Sequence, residues 1–144
     1  LAIVTTAEAI HPHSLGLAIA AAQALHNQLR AEQLLAEAND QLGELYATLE
    51  SMSEGLIFVG PGGEIRRINS RAADHLGVSA RAVAGRPFAA VEPPAAVREA
   101  LGRREELPES ELLWQGGRGL SPTRCAVRPI WDRGGRYLGA LLVL

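Results

Sequence analysis

The stretch SMSEGLIFVGPGGEIRRINSRAADHLG, Ser51–Gly77, decides how the rest of the chain is read. Its Gly-Pro-Gly-Gly run is compatible with a phosphate-binding loop and with a tight hairpin. A phosphate loop or a dinucleotide fingerprint needs a helix amino terminus directly after the glycines, because free N–H groups and the helix dipole hold the phosphate. Here GLIFVG (55–60) precedes the run and the alternating EIRRIN (64–69) follows it, so both flanks read as strands. The glycines therefore turn a hairpin, with Gly62 and Gly63 supplying the turn and Asn69 ending its second strand. All 14 basic residues are arginine. Without lysine, a Walker-type phosphate loop and Schiff-base catalysis are both excluded.

Toward the carboxyl end, SRAADHLG predicts a short helix with Gly77 as its C-cap. Ser79, Pro87 and Pro93-Pro94 punctuate further short helices to about Gly102. Three strand candidates follow, Glu111–Gln115, Thr123–Ile130 and Tyr137–Leu144, separated by the turn-forming GGRG and DRGG. Two strands, short helices and three strands predict an α+β fold, a five-stranded antiparallel sheet with helices on one face.

Toward the amino end, Ser14 to Met52 contains no proline and is rich in Ala, Leu, Gln and Glu. Leu15, Ala18, Ala22, Leu25 and Leu29 step by three and four, as do Leu35, Ala38, Leu42, Leu45, Leu49 and Met52. Each set is a coiled-coil-type seam, and the phase change between Leu29 and Leu35 reads as a stutter. The spacing predicts one long helix that pairs with another copy in a parallel dimer. The alternative is two shorter helices broken near Asn39-Asp40 or Gly43. Before it, LAIVTT (1–6) reads as a lone strand whose sheet partners lie elsewhere.

The chain is 144 residues long, 47% hydrophobic and 21% charged, with net charge −2. That supports a real core and offers no basic block for direct nucleic-acid binding. Cys125 is the single cysteine, so no intrachain disulfide forms, which suits a reducing cytoplasm. No apolar run reaches the roughly 18 residues of a membrane span, and the start carries no secretory signal. Both ends are strand-like, and the expectation is a piece of a longer cytoplasmic protein.

Residues 46–144 resemble a PAS sensor domain. The resemblance rests on Glu54-Gly55, the Gly62-Gly63 hairpin, Asn69, Ala72-Ala73, Leu76-Gly77, Gly85-Arg86-Pro87 and the closing PIWDRGGRYLGALLVL, with Gly60 standing where the family usually has Asp. The front end, TTAEAIHPHSLGLAIAAAQALHNQLR with His11-Pro12-His13, is similar to the last strand and closing helix of the GAF domain in sigma-54-dependent activators of the acetoin and glycerol/dihydroxyacetone regulator type. These resemblances imply a GAF remnant over 1–13, a signalling and dimerisation helix over 14–52 and a PAS domain over 53–144. They also imply a homodimer that reaches sigma-54 RNA polymerase and promoter DNA only through AAA+ and helix-turn-helix domains outside this chain. A PAS sensor of a histidine kinase is the competing output.

In a PAS domain a small-molecule effector would sit between sheet and helices. The side chains expected to line that space are Phe58, Leu76, Val83, Val91, Leu112, Trp114, Cys125, Val127 and Leu141, which equally well fill a packed core. His11 and His13 lack third and fourth metal ligands, and His26 and His75 add none. Haem-binding relatives place their axial histidine on the later helix, here Ala80–Val91, which has none. Cys125 falls on a strand rather than on the helix a flavin adduct needs. Haem, flavin and metal are therefore not expected. Glu105, Glu106, Glu109 and Glu111 read as a solvated loop, and no nucleophile–base pair is evident, so no enzyme activity is expected.

Overall fold

The computed structural model of the protein describes residues 12–144. The strand expected at 1–6, and His11, lie outside the described residues. Two compact units are present, one running to Tyr46 and the other comprising Ala47–Leu144.

α1, Pro12–Ser51, is a single 40-residue helix unbroken at Asn39-Asp40 and at Gly43; it lies in the first unit up to Tyr46, and its residues from Ala47 on belong to the second. Pro12 as its first residue fits the helix entrance, where no backbone N–H is needed. No residue of α1 is buried, and the leucines of both seams before Leu49 are exposed, Leu35 at 65% and Leu42 at 45%. Two seam positions behave differently. Leu49 is half-buried, and Met52 lies one residue past the helix end. No helix among the described residues is long and apolar enough to cross a membrane.

The second unit contains β1 (Leu56–Val59), β2 (Ile65–Ile68), α2 (Ser70–Leu76), α3 (Ala80–Val83), a 3-10 turn (Phe88–Val91), α4 (Ala95–Arg103), β3 (Leu107–Gly116), β4 (Gly119–Trp131) and β5 (Tyr137–Val143). The five strands form one antiparallel sheet in the order β2-β1-β5-β4-β3. First and last strands are thus neighbours at its centre, and Gly55 and Leu144 exchange both backbone hydrogen bonds, at 3.1 and 2.8 Å. At the first hairpin Gly63 has φ +83°, the left-handed conformation that glycine adopts without a Cβ penalty, whereas Gly62 shows no positive φ.

β3 and β4 are longer than their sequences predict. Glu109 stands on β3, not in a loop, and so does Glu111, where the expected strand began. Glu111 lies opposite Arg124 in the register, and the Glu109 carboxylate is 3.2 Å from the Arg124 guanidinium. Cross-strand pairing supplies the extended conformation that local sequence does not demand.

One face of the sheet carries the core: Ile57, Val59, Cys125, Val127, Ala140 and Leu142 are each at most 2% exposed. They pack against Leu76, Val83, Phe88, Val91, Val97 and Ala100 from the helical layer. Phe58 and Leu141 were expected there, but they pair with each other across β1 and β5 and are only half-buried. Successive strand residues face opposite sides, so Ile57, Val59, Ala140 and Leu142 take the core face and Phe58 and Leu141 the other.

Candidate functional site

Seven of the nine residues expected around an effector lie in or on the core. Leu76, Val83, Val91, Trp114, Cys125 and Val127 belong to one buried cluster, and Leu112 packs against it. Phe88 meets the Trp114 ring edge-on, with centroids 6.2 Å apart and planes at 88°. That is the favourable quadrupolar arrangement. The indole N–H of Trp114 donates to the Val91 carbonyl oxygen at 2.9 Å, which ties β3 to the 3-10 turn. Burial pushes the Cys125 thiol up to about 11, because a thiolate would lose its hydration there. It is an inert thiol at neutral pH.

The most fully engaged polar side chain in the unit is Asn69, 4% exposed. It sits between the end of β2 and the start of α2 and makes four hydrogen bonds. Its Oδ1 accepts from the Leu56 N–H at 2.8 Å and from the Ala72 N–H at 3.0 Å. Its Nδ2 donates to the carbonyl oxygens of Leu49 at 3.1 Å and Glu54 at 3.0 Å. One residue thereby caps α2, completes β1 and holds the last turn of α1. An asparagine amide has two donors and two good acceptor directions, and all are used. The sequence reads Asn69 as the end of β2, and the structure adds its role as the N-cap of α2. Its grip on Leu49 and Glu54 depends on tertiary placement and carries no sequence signal.

Glu50 extends this junction. Its carboxylate accepts from the Ser70 N–H at 3.0 Å. That amide is one of the free donors at the α2 amino terminus, where negative charge is favourable. Hydrogen bonds from the Ser70 side chain and backbone hold the Glu50 carboxyl below its ordinary value. The final turn of α1 and the first turn of α2 are therefore joined through polar contacts of known direction.

A second site lies at the opposite end of α2, where the β3–β4 turn crosses over it. The Gly117 N–H donates to the Leu76 carbonyl oxygen at 2.9 Å. A Cβ on Gly77 would run into the Cα of Gly117, so both positions must be bare for the turn to dock. His75 Nε2 and Thr123 Oγ1 lie 2.8 Å apart and make a second tie. This contact holds the exposed His75 ring against β4. Beside these ties opens a cleft of about 490 Å³. Arg71, Asp74, His75, Arg118 and Ser121 are its polar side chains, together with Ser53.

Among the described residues no three of His, Cys, Asp and Glu come together as a metal-binding group. His13 and His26 lie on α1, far in sequence from His75 on α2.

Residues 49–144 match the family described as the PAS fold. The PTS-dependent dihydroxyacetone kinase operon regulatory protein of Escherichia coli (strain K12) is 31% identical over 129 residues, 89% of this chain and 20% of that protein. The glycerol metabolism operon regulatory protein of Citrobacter freundii is 29% identical over the same length and shares. The chain thus spans about a fifth of the length of the curated relatives it matches. Both alignments are longer than the 49–144 segment, so they take in part of α1. Among solved structures, a chain of the E. coli DhaR(N)-DhaL complex superposes with TM-score 0.77 at 30% identity, over 95% of this chain and 46% of that one. The PAS domain of BvgS from Bordetella pertussis superposes with TM-score 0.54 at 17% identity, over 72% of this chain and 84% of that one, a likeness of fold alone.

Proposed function

This chain belongs to the PAS fold family, and we propose that it is the sensory, signal-transducing and dimerisation module of a bacterial sigma-54-dependent transcriptional regulator. Its output is exerted through an AAA+ ATPase and a DNA-binding domain beyond these residues. Promoter DNA and sigma-54 RNA polymerase are contacted by those domains and not by this module. The observation that carries the reading is the extent of the similarity to the two operon regulators, which continues from the PAS fold into α1. A shared sensor fold alone would not discriminate between outputs. Similarity across helix and PAS fold together favours a shared signalling arrangement.

In this reading α1 is the dimer element. A 40-residue helix with no buried residue and two exposed leucine seams has apolar surface that a second copy can cover. The change of phase between Leu29 and Leu35 allows two registers of packing, and signalling shifts the balance between them. The Asn69–Glu50 junction is the mechanical link, since it fixes the last turn of α1 to both β1 and α2.

The test is the solution mass of the chain and of Leu35→Lys/Leu42→Lys. Both leucines are exposed in the single chain, so charge there leaves the PAS fold intact. The expected result is a dimer that becomes a monomer on substitution, with the sheet signal in circular dichroism retained. The same pair of substitutions in the full regulator should abolish reporter transcription from a sigma-54 promoter. A wild-type monomer, or a dimer indifferent to both lysines, overturns the seam.

A further inference from the structure

We propose that the cleft between α2 and the β3–β4 turn is a binding site for a small oxyanion, the phosphate or carboxylate group of a metabolite. It is separate from the PAS core and does not rest on the regulator reading. Arg71 reaches it from α2 and Arg118 from the turn. Neither guanidinium has an ion pair or a side-chain hydrogen bond among the described residues, and both are exposed. Other arginines are engaged: Arg66 pairs with Glu64 at 2.8 Å, Arg124 with Glu109 at 3.2 Å and Arg136 with Asp132 at 3.2 Å. Two free guanidiniums from different elements therefore converge on one opening. Asp74 is the single acidic side chain lining it, so its side chains leave a positive balance.

The geometry is built rather than incidental. The Gly77–Gly117 approach, the Gly117–Leu76 hydrogen bond and the His75–Thr123 contact clamp the turn that carries Arg118 onto the helix that carries Arg71. Clamping fixes the separation of the two backbone positions that carry the cations before a ligand arrives, which lowers part of the ordering cost of binding. Guanidiniums present paired donors that match carboxylate and phosphate oxygens, and the Ser121 hydroxyl adds a neutral donor. A volume of about 490 Å³ falls in the range of small-molecule sites.

The experiment is an amide chemical-shift titration of the chain with inorganic phosphate and, separately, with succinate, each at constant ionic strength against chloride. The expected result is a saturable shift at Arg71, His75, Arg118 and Ser121, with the tighter of the two titrants naming the oxyanion class. Arg71→Ala/Arg118→Ala should weaken that binding at least about tenfold while leaving the remaining spectrum in place, as loss of two charge-assisted contacts requires. Arg67→Ala, on β2 and outside the cleft, should leave it unchanged. Shifts reproduced by chloride, shifts centred elsewhere, or unaltered affinity in the double variant each overturn the site.

Discussion

Asn69→Ala removes both ends of a side chain that makes four hydrogen bonds, whereas Asn69→Asp removes only two. In the alanine variant α2 loses its N-cap, which costs about 1 kcal/mol. The buried Leu56 N–H loses the Asn69 Oδ1 acceptor, which costs about 1–3 kcal/mol more. The sum is about 2–4 kcal/mol, or a melting temperature lower by roughly 10–20 °C for a domain of this size. In the aspartate variant the two acceptor contacts survive, and a negative charge at the α2 amino terminus is itself favourable. Its second oxygen, however, stands where Nδ2 met the Leu49 and Glu54 carbonyl oxygens at 3.1 and 3.0 Å. Acceptor now faces acceptor, and the last turn of α1 is released. Thermal unfolding combined with amide hydrogen exchange separates the two effects. Exchange at Leu56 and Ala72 should accelerate in Asn69→Ala and stay slow in Asn69→Asp, while the amides at the end of α1 accelerate in both. Identical exchange patterns in the two variants, or an alanine cost below about 0.5 kcal/mol, would refute the division of labour.

The Glu50 carboxyl is held low in the fold, so its contribution is present above its unfolded value, near pH 4.3, and is lost as pH falls through the lower folded value. Protection of the Ser70 amide, after allowance for the intrinsic slowing of exchange in acid, should fall as pH drops through that lowered value, and Glu50→Gln should remove that dependence. Cys125, with its thiol raised to about 11 by burial, should resist thiol reagents at pH 8 in the native chain and react fully in denaturant; native labelling at the denatured rate would place it at the surface. Trp114→Phe leaves the Val91 carbonyl unpaired and the core short of one ring, a loss of about 2–4 kcal/mol. Its remaining tryptophan, Trp131, is 46% exposed, so native emission should move to the red. Unchanged emission would mean that Trp114 does not dominate the blue end.

Much of the architecture is legible in residue order because local rules and tertiary structure agree. The Gly-Pro-Gly-Gly turn, the end of β2 at Asn69, the Gly77 C-cap with φ +66° and the hairpin glycines all act within a few residues of themselves. The failures arise where a choice is made by distant chain. Period-two alternation separates Phe58 from Ile57 and Val59, but only the helical layer decides which set is inside. Size favours Phe58, and packing selects its neighbours. Leu49 is placed by heptad spacing, and nothing local announces that the Asn69 amide holds its carbonyl group. Glu109 looks like solvated loop until β4 brings Arg124 to 3.2 Å from its carboxylate. Arg71 and Arg118 are 47 positions apart in the numbering, and nothing local announces that one cleft holds both.

The mutual hydrogen bonding of Gly55 and Leu144 makes the intervening 88 residues a closed loop of chain. A hydrogen-bonded antiparallel pair sets its two Cα atoms about 5.5 Å apart. To whatever polypeptide flanks it, the unit therefore occupies little more length than a single residue step. Such a module can be spliced into a helical connector, or removed from one, with scarcely any change in the distance between the parts on either side. Strain applied at one of its two gates is felt directly at the other, without crossing the sheet.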